Sequence, residues 1–95
     1  MELIINKSSY IIDNFIDELR FNDEEDFTEM IRIDASNAKV EYEQLKDDFS
    51  EIKEDDEIVV ELDEETTETF TGYLPHRITR RITGSGVTVR MELVK

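Results

Sequence analysis

Three segments in the last forty residues alternate apolar and polar side chains with a period of two. From Glu57 to Leu62, the residues Ile58, Val60 and Leu62 alternate with Glu57, Val59 and Glu61. From Thr69 to Leu74, Phe70, Gly72 and Leu74 alternate with Thr69, Thr71 and Tyr73. From Val87 to Val94, Val87, Val89, Met91 and Leu93 alternate with Thr88, Arg90, Glu92 and Val94. Successive side chains of a strand point to opposite faces, so this pattern describes strands with one dry and one wet side. It predicts a C-terminal β-meander.

Upstream the pattern is less uniform. Leu3, Ile4 and Ile5, followed by the polar run Asn6-Lys7-Ser8-Ser9, predict a short buried strand and a turn. Between Tyr10 and Phe21, the residues Ile12, Phe15, Ile16 and Leu19 fall at helical spacing, with Ser9 available as an N-cap. An extended reading of the same stretch puts Phe15, Asp17, Leu19 and Phe21 on one face, and so buries an aspartate. The helix is locally the better fit, and a bent pair of short strands is its alternative. Asn22–Asp26 reads as an acidic turn. Phe27–Ala35 reads as a strand with Phe27, Ile31, Ile33 and Ala35 inward and Thr28, Met30, Arg32 and Asp34 outward. Glu29 is its one misfit. Val40, Tyr42, Leu45 and Phe49 are the apolar anchors of Val40–Phe49, which reads as a helical turn around Gln44–Phe49 or as a loop tied down by Leu45, Phe49 and Ile52.

The final hairpin can be read at the level of register. A two-residue turn at Ser85-Gly86 sets Ile82 against Val89 and Ile78 against Leu93, so apolar faces apolar. A three-residue turn mixes the faces. The first register places Arg81 opposite Arg90 on the outer face, with Arg77 on the same side and Glu92 diagonal to both Arg77 and Arg81. Arg80 then falls on the apolar face opposite Met91, where it must reach out from the sheet edge or meet a buried carboxylate. Directly opposed arginines repel unless an anion lies between them. That anion is Glu92, a neighbouring-strand carboxylate such as Glu61, or a partner. Pro75 fits a bend or a strand edge, because it donates no amide hydrogen. Gly72 marks a bulge or a close backbone approach. The whole pattern predicts a single domain, 1–95. Its expected fold is mainly β: a small antiparallel β-barrel with a C-terminal meander and one or two short helices.

Charge adds a second layer. The 95 residues carry 25 acidic and 11 basic side chains, a net charge of −14. Residues 71–95 hold five basic side chains (Arg77, Arg80, Arg81, Arg90 and Lys95) against one acid, Glu92. A small basic face on an acidic body is a candidate docking patch; its arginines could equally neutralise the protein's own carboxylates. Tyr73, Arg77, Arg81 and Arg90 are the candidate protein-binding residues.

Chemistry is otherwise sparse. There is no cysteine and a single histidine, His76, with no nucleophile to serve. The acidic runs lack the spacing with which a calcium loop converges its oxygens, and no glycine-rich phosphate loop is present. These features point away from an enzyme, a metal site and a cofactor. Net negative charge opposes nucleic acid, and the alternation turns Phe70 inward, which leaves only Tyr73 to stack on a base. No basic leader precedes an apolar run, and no stretch approaches the ~18 apolar residues of a membrane span. The expectation is a protein without signal-directed export, located in a virion or the host cytoplasm.

The run Asp56-Glu57-Ile58-Val59-Val60, a short acidic turn, Phe70-Thr71-Gly72-Tyr73 and a final Val87-Thr88-Val89 strand resemble the first β-barrel of bacteriophage tail hub proteins and related tail-tip and baseplate components. Asp55 stands where that family carries a glycine. The resemblance implies a barrel module that packs among tail or virion subunits, self-association included, with no catalytic residues. The alternative from a different class is a small acidic inhibitor of the DNA-mimic type, suggested by the 24 acidic against six basic side chains of residues 1–70.

Overall fold

The computed structural model describes residues 1–21, 27–37, 39–84 and 86–95, with the backbone alone for 18–21 and 27–28. The fold is mainly β. Eight strands and one helix follow in the order β1 (Glu2–Ile5), β2 (Ser8–Ile11), β3 (Asn14–Phe21), β4 (Phe27–Ser36), α1 (Tyr42–Ser50), β5 (Ile58–Glu61), β6 (Thr67–Phe70), β7 (Leu74–Thr83) and β8 (Gly86–Val94). They form two antiparallel four-stranded sheets rather than one closed barrel. Sheet I has the order β2-β1-β5-β6 and sheet II the order β3-β4-β8-β7.

The alternation of the strands supplies the core between the sheets. Leu3, Ile5, Ile58 and Val60 of sheet I and Ile31, Ile33, Val89, Met91 and Leu93 of sheet II are each no more than 1% exposed. Leu45, Phe49 and Ile52 join the same cluster, so the expected apolar anchors are correct, but the helix around them is a full nine residues. Leu45 and Phe49 lie one turn apart on the face of α1 that meets the core. Acidic residues near the C-terminal end of α1 (Asp47 and Asp48) oppose its dipole, so packing rather than propensity holds it.

Residues 10–21 are not a helix. They are the two strands of the alternative reading, broken by a corner at Ile12-Asp13 where the chain passes from sheet I to sheet II. Ile12 donates its amide to the Met1 carbonyl (3.0 Å) and Asp13 donates to the Asp34 carbonyl (2.8 Å). The Asp13 carboxylate then accepts the Ser36 amide (2.6 Å) and the Lys39 ammonium (2.8 Å). The Lys39 hydrogen bond leads in holding its pKa below the usual carboxylate value, and the Ser36 amide assists. Ile12 is buried at this corner, and Asp17 escapes burial despite sharing the parity of Phe15. The turn before it is confined to Asn6 and Lys7, both at positive φ (48° and 73°), and Ser8 and Ser9 belong to β2. The predicted turn at 22–26 lies outside the described residues, although Phe21 pairs with Phe27 on either side of it.

The predicted meander is also divided. β5 and β6 pair in sheet I, and β7 and β8 pair in sheet II. Residues 71–73 cross between the sheets, and Gly72 sits there at φ +82°, a backbone state that few side-chain-bearing residues adopt. This reverses the alternation after Phe70. Tyr73, expected on the wet side, is 5% exposed, and Leu74, expected in the core, is 44% exposed.

Tyr10 links sheet I to the helix by donating its hydroxyl hydrogen bond to Asp48. Burial, then the Asp48 hydrogen bond and charge, push the Tyr10 pKa up to about 12. The folded state therefore keeps a proton that the unfolded chain releases near 10, and the associated stability is lost as pH rises from 10 through about 12. In urea titrations, Tyr10→Phe should be the less stable protein at neutral pH, and the gap to wild type should narrow across that window. A gap that stays constant to the top of the window would contradict this assignment.

Candidate interaction surface

β8 lies between β4 and β7, so its polar face forms the centre of the outer surface of sheet II. Two charged rows cross this surface. In one, Arg32 of β4, Glu92 of β8 and Arg77 of β7 stand in register; in the next, Asp34, Arg90 and Thr79 do. Ser36, Thr88 and Arg81 continue the pattern toward the hairpin tip. Arg77, Thr79, Arg80, Arg81, Arg90 and Glu92 thus line one shallow depression. On the other side of the charged rows lies an apolar one: Met30, Val94 and Leu74. Met30, expected on the wet face, is only 4% exposed.

The hairpin register differs from the expected one by two residues. Thr83 pairs with Gly86, Ile82 with Val87, Ile78 with Met91 and Arg81 with Thr88. Residue 85, half of the expected turn, lies outside the described residues. A shift of two keeps every side chain on its face, which is why the outer arginines were placed correctly while their partners were not. Arg81 and Arg90 do not face each other. Arg80 stands opposite Val89 instead of Met91 and snorkels outward, its guanidinium carbon 4.2 Å from the centre of the Tyr42 ring on α1.

The three arginines differ in their surroundings. Arg90 donates from Nε to Asp34 Oδ1 at 2.8 Å, and the two side chains are 27% and 13% exposed. The Asp34 hydrogen bond and charge raise the guanidinium's pKa further, with a smaller contribution from Glu92. The anion expected beside Arg90 is therefore Asp34, and Glu61 belongs to the other sheet. No carboxylate among the described residues forms an ion pair or hydrogen bond with Arg77 or Arg81. Both are exposed on β7, the edge strand, which pairs with β8 alone. Pro75 begins this edge, and a bulge between Pro75 and Arg77 leaves His76 without a partner on β8.

Tyr73 does not belong to this surface. Its ring packs edge-on against Phe70 (5.7 Å between centroids), and Phe70 in turn lies 5.5 Å from Phe15. Burial first, then the negative charges of Asp17 and Glu29, raise the pKa of its hydroxyl. Lys95 covers the ring with its ammonium 5.6 Å from the centre.

Arg32, Asp34 and Thr79 are the members of the surface that the sequence reading did not assign to it. Arg32 Nε is shut off from solvent without a hydrogen-bond partner among the described residues. The signal for Arg32 and Asp34 was their place on the polar side of β4. What was missing was the pairing of β4 with β8. On the opposite side of the molecule, Glu2 stands directly opposite Glu61 in the outer face of sheet I, and Asp63 and Glu64 lie beside them.

No protein-family model matches this chain, and neither the curated proteins nor the solved structures contain a significant match. Among the described residues, no helix is long and apolar enough to cross a membrane.

Proposed function

We propose that this chain is a structural, protein-binding module that docks onto neighbouring subunits through the outer face of sheet II and the β7 edge. The observation that carries the reading is the pair Arg77 and Arg81: exposed, without an internal carboxylate partner among the described residues, and set on an edge strand of an otherwise acidic protein. Guanidinium groups left unpaired in this way are suited to bidentate contact with carboxylates of another surface. Exposed Leu74 and half-buried Val94 beside them offer apolar area, and interfaces commonly combine a dry centre with a polar rim. The resemblance of the Asp56–Val60 and Phe70–Tyr73 segments to phage tail hub barrels supplies the setting: a phage or prophage tail component, seated among tail or virion subunits.

The test is the double variant Arg77→Glu/Arg81→Glu, mixed with purified phage tail-tube and tail-tip proteins and followed by size-exclusion with light scattering. Retention of wild type in a complex, and its loss in the variant at unchanged urea midpoint, is the expected result. A variant that co-elutes as wild type does would overturn the role of this face.

The pair Glu2 and Glu61, directly opposed on the outer side of sheet I with Asp63 and Glu64 beside them, keeps the DNA-mimic inhibitor as a second reading. Competition with duplex DNA for a nuclease or polymerase, abolished by salt, would favour it. Absence of competition at low ionic strength would remove it.

A further inference from the structure

Building on that reading, we infer that the partner enters as an extended acidic segment that adds a fifth strand to sheet II along β7. β7 is a ten-residue edge strand. Proline and the bulge, devices that spoil edge pairing, are confined to its first residues, Pro75 and His76. From Arg77 to Ile82 the ladder with β8 is regular, and no backbone hydrogen bond of the described residues outside that ladder involves this stretch. No hydrogen bond of the described residues therefore claims the side of its backbone turned away from β8; α1 meets the strand through Tyr42 and Arg80, and an incoming strand must pass beside that contact.

The side chains along this stretch define what such a strand must carry. Arg77, Thr79 and Arg81 project to the outer face, and Ile78, Arg80 and Ile82 alternate to the other. Ile82 is 91% exposed, the largest exposure among the big apolar side chains of the described residues, and its cross-strand neighbour Val87 is 38% exposed. Both lie on the core parity of the hairpin but beyond the end of the core. A strand laid along β7 with acids opposite Arg77 and Arg81, and apolar residues opposite Ile78 and Ile82, satisfies both rows at once. The same arginines disfavour a second copy as the occupant. Two antiparallel β7 edges centred on Thr79 set Arg77 against Arg81, and the neighbouring registers set arginine against threonine, so none of them supplies a carboxylate. An acidic strand answers both arginines, and the partner assigned is a different protein with an extended acidic–apolar alternation.

The probe is a synthetic peptide of the length of β7 in which glutamate alternates with valine, added to the isotope-labelled full chain and read by amide hydrogen exchange. Two control peptides accompany it: one of the same composition with the alternation scrambled, and one N-methylated at every second amide. Expected are saturable binding, slowed exchange confined to residues 77–82 and their β8 partners, and affinity lower by about tenfold or more for both controls, the equivalent of one or two backbone hydrogen bonds. Equal binding of all three peptides would overturn the fifth strand and leave face-on docking through Arg77 and Arg81 intact. Unchanged peptide binding by Arg77→Glu/Arg81→Glu would overturn the charge selection. Slowed exchange of residues 77–82 without peptide, growing with protein concentration, would identify a second copy as the occupant and overturn the assignment to a different protein.

Discussion

Replacing Ile33 with alanine is expected to remove about 2–5 kcal/mol of stability, the usual cost of truncating a fully buried aliphatic side chain. Ile33 has no exposed surface and sits in β4, an inner strand, between Phe15 on β3 and Met91 on β8. Neighbours fixed on both sides by ladders cannot collapse into the cavity, so the loss should lie toward the upper part of that range. A domain of this length is stable by roughly 0.05–0.15 kcal/mol per residue, so one such cavity consumes a large share of the total. Ile82→Ala is the matched control: the same truncation at a 91% exposed site should change stability by less than about 0.5 kcal/mol. Urea midpoints of the two variants decide the matter. Comparable losses at both positions would mean that the place where the core ends along sheet II is wrongly assigned.

Asp34→Ala should be the most damaging polar substitution on the outer face. It strands the Arg90 guanidinium, which is only 27% exposed and whose described ion pair is with Asp34, and the cost of leaving such a group unpaired is about 1–3 kcal/mol. Adding Arg90→Met should recover much of the loss, because the stem still packs while the unpaired charge is gone. A double-mutant cycle reads the coupling directly. Additive losses would show that the pair is merely adjacent. The same logic separates the roles of the arginines. Arg90 is satisfied within the fold, so partner binding should depend on it less than on Arg77 and Arg81.

The residues whose environment depends on their own strand were legible. Ile58, Val60, Val89, Met91 and Leu93 are all buried as their alternation required, and so are Ile31, Ile33 and Ala35. Three features were not readable, each for a physical reason. In residues 10–21 the helical and extended periods compete because the corner at Ile12-Asp13 interrupts either one, and the bonds that hold it come from Met1, Asp34, Ser36 and Lys39 elsewhere in the chain. At Gly72 one residue with positive φ inverts the parity, so Tyr73 and Leu74 exchange sides. The hairpin register could slip by two because both registers bury the same residues. The candidate surface was legible as far as its own hairpin reached: Arg77, Arg81 and Arg90 share a face. The pairing that satisfies Arg90 joins residues 56 apart in sequence, and nothing local to either strand announces it.

The division of charge between the two outer faces has a consequence for motion in solution. Arg77 and Arg81, without carboxylate partners among the described residues, stand on the outside of sheet II, and Glu2 faces Glu61 on the outside of sheet I. The net charge of −14 repels an anionic body at long range, so attraction to the arginine edge is felt only at close approach. That attraction acts within a screening distance of about 8 Å at physiological ionic strength, and moderate salt, by relaxing the longer-range repulsion, should speed the encounter before it weakens the final contact.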